Sequence, residues 1–213
     1  VGDKRLLKLG LTGGIASGKS AVGEMFVQRG AHLIQSDAVA HWLMDPGRPV
    51  YEEVVRRFGR EILNPEGSIN RAKLAEAAFG SSGGVAPRVQ ELNELVHPAV
   101  IAHENRWMEE IGERDPKAIA IVEAALILEA KAAGRFDRLI VVTCRPEQRI
   151  QRYARRMGIS ENAARAEVTR RMAAQIPDEE KIKTADFVID NSASLEGTTE
   201  QVQRVFAELQ KLV

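Results

Sequence analysis

Five short apolar runs punctuate the chain, with stretches of helical period between them. The first, residues 6–11, is closed by Thr12-Gly13-Gly14 and reads as a buried strand. Residues 20–29 then place Val22, Met25 and Phe26 on one helical face, with Gly30 as a stop. Residues 31–34 form the next strand and lead directly into Ser36-Asp37. Runs at 118–122, 138–143 and 187–189 supply the rest, the last followed by Asp190-Asn191. Strands alternating with helices imply right-handed crossovers, and so an α/β fold with a five-stranded parallel sheet covered by helices on both faces.

Two segments break the alternation. Residues 38–114 read as almost wholly helical, interrupted at Pro46-Gly47, at Asn64-Pro65-Glu66-Gly67 and at residues 81–84. That is long for one crossover and predicts a helical insertion with a function of its own. Residues 146–183 are also helical and carry Arg149, Arg152, Arg155, Arg156, Arg165, Arg170 and Arg171.

Composition narrows the partners. The 213 residues suffice for one compact core with appended lobes. Thirty basic side chains balance 30 acidic ones, so no whole-protein basic field exists to attract nucleic acid or an anionic membrane. Lys4, Arg5 and Lys8 are interleaved with strand residues and do not resemble a signal sequence, and the apolar runs are too short to span a bilayer. The single cysteine, Cys144, excludes an internal disulfide framework and suits a reducing compartment. A cytoplasmic protein is expected, with no nucleic-acid or membrane partner and no required oligomer.

The candidate chemistry begins at the end of the first strand. Gly13-Gly14-Ile15-Ala16-Ser17-Gly18-Lys19-Ser20 satisfies every fixed position of the G-x-x-x-x-G-K-[ST] phosphate loop, between a strand and a helix. Glycines let the backbone curl so that successive N–H groups converge on phosphate oxygens, and the helix after the loop adds its positive end. The motif by itself names only the phosphates of a nucleoside triphosphate; Gly14, Ile15, Ala16, Ser17, Gly18, Lys19, Ser20 and Ala21 are expected to hold them, with ATP as the expected nucleotide. Lys19 would neutralise the β- and γ-phosphates, and the Ser20 hydroxyl would ligate Mg²⁺. The Asn-Lys-x-Asp signature of a guanine site is missing, the nearest approach being Lys183-Thr184-Ala185-Asp186, so a compact kinase is favoured over a GTPase.

Several further segments, in order, resemble the dephospho-CoA kinase family over almost the full length. Residues 11–20 are similar to its LTGGIGSGKS, and Ser36-Asp37 falls at its Asp-Ala-Asp element. Leu95-Val96-His97-Pro98 resembles its His-Pro element, and residues 123–129 occupy the place of its Pro-Leu-Leu-Phe-Glu element. Arg152, Arg156 and the stretch from Arg171 to Gln175 resemble its lid, and residues 185–191 close the match. The resemblance implies phosphorylation of the ribose 3′-hydroxyl of dephospho-CoA, the last step of coenzyme A synthesis. The chain departs from the pattern at Gln35, His41, Ala16, Ala21 and Ala125, where the family has Asp, Arg, Gly, Thr and Pro. The first two fall near the expected acceptor site.

Individual residues carry competing readings. Asp37 should emerge at the carboxyl end of the sheet; the resemblance implies that it orients or accepts the acceptor's proton, whereas locally it reads as a helix N-cap. Glu123 either holds a Mg²⁺ water or caps the segment after the third strand. Glu129 is either an acceptor contact or a solvated helix residue. His97, held extended by Pro98, either contacts the acceptor or is structural. His32, His41 and His103 have no metal-ligand spacing with one another or with Cys144. Arg152 and Arg156 share a helical face, and Arg156 is the expected cation over the transferred phosphoryl group. Arg152 and Gln175 are expected to meet the nucleotide.

The expected division is a nucleotide-binding core of residues 1–37, 117–150 and 184–213, a helical acceptor lobe of 38–116, and a basic lid of 151–183. A kinase for another nucleoside or nucleotide, or an ATP-sensing regulator, are the rival readings.

Overall fold

The computed structural model describes residues 5–80 and 88–213; Lys4 and the break at residues 81–84 lie outside the described residues. The chain divides into two compact units: the chain up to Gln35 together with Met108–Val213, and Ser36–Trp107.

The first unit contains β1 (Leu7–Thr12), β2 (His32–Gln35), β3 (Ile119–Glu123), β4 (Arg138–Thr143) and β5 (Phe187–Asp190). They form one sheet in the order β2-β3-β1-β4-β5, every pairing parallel. This is the expected architecture. Three strands extend one residue beyond their apolar runs, to Thr12, Gln35 and Glu123. The reason is the ladder: Leu11 and Gln35 both pair with Glu123 from opposite sides, so polar residues are carried along at the carboxyl edge.

The helices are α1 (Lys19–Val27), α2 (Ser36–Leu43), α3 (Pro49–Phe58), α4 (Arg71–Phe79), α5 (Val89–Arg114), α6 (Pro146–Met157), α7 (Glu161–Ala173), α8 (Asp178–Thr184) and α9 (Leu195–Leu209). Alternation along β4 feeds both sheet faces. Ile140 and Val142 join Leu9, Leu11 and Ile121 under Val22, Met25 and Phe26 of α1 and Val202 and Phe206 of α9. Leu139 and Val141 turn the other way, onto Ile127, with Leu128 and Phe136 against them. A third cluster joins α6 and α7 through Ile150, Tyr153, Ala154, Ala164 and Val168, and it includes Ile15.

The second unit is helical, as its sequence suggests, around buried Val54, Phe58, Ile62, Leu74 and Ala78. Asn70 caps α4 by accepting from Ala72 N and Lys73 N at 3.1 Å. A one-residue antiparallel bridge, Leu63 with Ile69, closes the turn before it. His97 departs from expectation, because Pro98 lies inside α5 and His97 is helical rather than extended. Val96 and Val100 are buried on either side, and their packing outweighs the local penalty of a helical proline, about 3 kcal/mol.

Candidate active site

The phosphate loop leaves β1 as a tight curl. Gly18, the N-cap of α1, is left-handed at φ 96°, and a Cβ there would collide with the Asn191 side-chain amide. Gly14 is crowded differently, since a Cβ would collide with the Arg149 guanidinium. Ala16 holds φ 53° without being glycine, so the loop carries backbone strain at that position. Ser17 is fully buried and its Oγ has no hydrogen-bond partner. Lys19 Nζ donates to the carbonyls of Gly13 at 3.1 Å and Gly14 at 3.4 Å, which folds the cation over the loop. An orphaned buried hydroxyl and a folded-back lysine, at the N-terminus of α1, suit a polyanion.

At the mouth of α1 a carboxylate meets the loop. Ser20 Oγ donates to Glu123 Oε1 at 2.8 Å, and Gln35 Nε2 donates to Glu123 Oε2 at 3.0 Å. Glu123 is buried at the end of β3, so its bonded partners are the loop serine and the last residue of β2. A hydroxyl and a carboxylate converging on one point are hard oxygen donors of the kind Mg²⁺ prefers.

The basic segment packs on the loop from the β4 side, within the first unit. Arg149, Arg152 and Arg156 come at spacings of three and four, hence on one face of α6. Arg149 is 1% exposed; it donates to Cys144 O at 3.3 Å and ion-pairs with Asp178 at the start of α8. Arg152 donates to Ser17 O at 3.1 Å and Asn191 O at 2.8 Å. Arg156 is exposed, its guanidinium 5.4 Å from the Tyr153 ring centre. Gln175 Oε1 accepts from the Ile15 N–H at 3.3 Å. Cys144, beneath the loop, donates weakly to Ala16 O at 3.8 Å, and burial raises its thiol pKa.

Glu129 is not a solvated helix residue. It lies in a turn, pairs with the fully buried Lys181 at 2.8 Å and accepts from Ile176 N at 3.1 Å. Its neighbours are brought from 47 and more residues away by α8, which no local pattern foretells.

Two site residues were missed in the sequence. Asn191 donates to Ser17 O at 2.9 Å and accepts from the buried Thr198 hydroxyl at 3.0 Å. Its signal was available, because it comes just after β5 as Asp37 comes just after β2, at the carboxyl edge where ligands bind. Arg149 was only one of seven arginines, and no linear signal marks it as the buried one.

In the second unit, Asp37 sits exposed in the first turn of α2, which begins at Ser36, so it is not the N-cap. Ser36 Oγ donates to the buried Glu104 at 2.6 Å, anchoring the turn that carries Asp37. His41 lies one turn beyond Asp37. Partial burial, and then the nearby Arg71 charge, lower its pKa against the opposing pull of Asp37 and Asp45. His97 is exposed on α5.

Comparison with known proteins identifies the family to which this fold and phosphate loop belong. The sequence profile described as dephospho-CoA kinase matches residues 7–197. Dephospho-CoA kinase of Corynebacterium efficiens is 37% identical over 204 residues, covering 96% of this chain and 98% of that protein. The Aquifex aeolicus dephospho-CoA kinase is 39% identical over 202 residues, covering 95% and 97%. Among solved structures, TT1252 from Thermus thermophilus superposes with TM-score 0.75 at 30% identity, covering 96% of this chain and 98% of that one. Dephospho-CoA kinase from Campylobacter jejuni gives 0.61 at 25% identity, covering 98% and 100%.

Proposed function

The chain belongs to the dephospho-CoA kinase family, and we propose how its own residues carry that activity: transfer of the γ-phosphoryl group of ATP to the ribose 3′-hydroxyl of dephospho-CoA, giving coenzyme A and ADP. The observation that supports the residue roles best is the meeting of the phosphate loop with Glu123 through Ser20 at 2.8 Å. ATP phosphates take the backbone N–H groups from Gly14 to Ala21. Lys19 exchanges its two carbonyl contacts for phosphate oxygens, and Gln175 yields the Ile15 N–H to the nucleotide. Ser20 and Glu123 would hold Mg²⁺, which would supply neutralisation of the polyphosphate charge.

Asp37, two residues beyond the end of β2, orients the 3′-hydroxyl and accepts its proton as the new O–P bond forms. A loose transition state asks for positioning more than for strong base chemistry, so an ordinary carboxylate suffices. Arg149 and Arg152 fix the loop from behind, and the exposed Arg156 is the cation of the lid that meets the transferring group. His97 and Glu129 contact the acceptor; Glu129 retains a buried Oε2 without a hydrogen-bond partner. Residues 38–116 act as the acceptor lobe, 151–183 as the lid, and 1–37, 117–150 and 184–213 as the nucleotide-binding core. Closure excludes water, which would otherwise take the phosphoryl group. No helix among the described residues is long and apolar enough to cross a membrane, and the reading places the enzyme in the cytoplasm.

The test is ADP release from ATP–Mg²⁺ with and without dephospho-CoA, with the product's phosphate located. Acceptor-dependent turnover with phosphate on the 3′-hydroxyl is expected, and Lys19→Ala or Asp37→Ala should lower it by about a thousandfold or more while far-UV circular dichroism is unchanged. Wild-type rates in either variant refute the assigned role. ATP binding without acceptor stimulation points to another nucleoside or nucleotide acceptor.

A further inference from the structure

Gln35 and Glu123 are the last residues of neighbouring parallel strands and stand in register, so their side chains leave the sheet on the same face. Their contact is an amide donating to a carboxylate at 3.0 Å, and the other carboxylate oxygen is taken by Ser20 at 2.8 Å. Each oxygen of the buried Glu123 is thus held by one neutral donor. A neutral donor and a charged group at position 35 would have opposite consequences. A second carboxylate at this separation would repel the first unless a proton or a cation lay between them. The amide instead satisfies Glu123 Oε2 and leaves Oε1 turned toward the loop.

We infer that Gln35 is a positioning residue for the metal end of the site: it locks Glu123 in its working orientation before any cation arrives and keeps the anchor at one negative charge. The inference rests on the reading of Ser20 and Glu123 as the Mg²⁺ holders. It goes beyond that reading because the side-chain bond of Gln35 is to Glu123, so it acts through the Glu123 carboxylate. A single carboxylate attracts a free divalent cation weakly, so the cation enters together with the nucleotide's own charge. An orienting partner of a ligand is commonly worth about ten- to a hundredfold in metal affinity.

Mn²⁺ serves as the probe, with free ion read by electron paramagnetic resonance. It is titrated into the chain alone, and into chain in excess over adenylyl-imidodiphosphate. Gln35→Leu removes the orienting bond and should weaken Mn²⁺ in the nucleotide complex by about tenfold. Gln35→Glu is nearly isosteric and adds a charge; it should tighten Mn²⁺ binding to the nucleotide-free chain by a similar factor of about ten. Nucleotide binding in EDTA should stay within about twofold of wild type in both, which reports an intact loop. Glu123→Gln is the control for the metal reading. If it weakens Mn²⁺ while both Gln35 variants leave it unchanged, the role of Gln35 is overturned and the metal site stands. If Glu123→Gln has no effect, both fall. Should Gln35→Leu lose EDTA-stable nucleotide binding, Gln35→Glu alone decides, and unchanged affinity there overturns the inference.

Discussion

Replacing Arg149 by Met tests how the loop is held. The guanidinium is 1% exposed and its partner Asp178 is 30% exposed, so the pair is buried at one end only. Removing one partner of a fully buried pair costs about 3–5 kcal/mol. Because Asp178 keeps some water and Met fills much of the volume, about 2–3 kcal/mol is expected here. Asp178→Asn keeps a hydrogen-bond acceptor and should cost about 1–2 kcal/mol. If the two act as a unit, the double variant will resemble Arg149→Met, leaving a coupling energy of about 1 kcal/mol or more. Urea denaturation measures all three. Function separates the pair from an ordinary structural bridge, because the Arg149 guanidinium crowds Gly14 of the phosphate loop. Arg149→Met should therefore weaken ATP binding by about tenfold or more, a loss of about 1.4 kcal/mol. Additive stabilities together with an unchanged ATP dissociation constant would refute the argument.

Ala16→Gly should relieve a left-handed alanine at φ 53°, stabilising the chain by about 1 kcal/mol and raising Tm by about 2–4 °C; a lower Tm in calorimetry would contradict the strain. His41 titrates below its ordinary 6.5, so it is neutral at pH 7 and gains charge only as pH falls through its lowered pKa. Its folded pKa is depressed, so its contribution to stability is fully present above pH 6.5 and is lost as pH falls below that value. If His41 faces the acceptor's diphosphate, KM for dephospho-CoA should drop below pH 6.5, and His41→Arg should flatten that dependence. An equally sloped KM profile in His41→Arg would remove His41 from the acceptor site.

Much of the site was legible because phosphate recognition is local. Consecutive backbone N–H groups of one loop bind consecutive oxygens, so Gly13 to Ser20 could be read without knowing any partner. The strands were legible for a similar reason, since burial on both faces leaves unbroken apolar runs such as 138–143. Their polar ends were harder. Thr12, Gln35 and Glu123 belong to the sheet only because a neighbouring strand continues the ladder beside them.

The arginines mark the limit of linear reading. Spacing places Arg149, Arg152 and Arg156 on one helical face but does not say which end of that face is buried. That was decided by Ile150, Tyr153 and Ala154, which pack against α7 and Ile15 and so set the rotation of α6. The same packing leaves Arg156 in solvent. The backbone at His97 is helical, against the local steric preference set by Pro98, because Val96 and Val100 are buried around it. The phosphate loop, whose candidate contacts are its own backbone and near neighbours in sequence, was thus legible in the sequence alone. Asn191 on Ser17, Lys181 on Glu129 and Gln35 on Glu123 were decided only by the tertiary structure, because each bond joins segments that the sheet and α8 bring together from far apart in the chain.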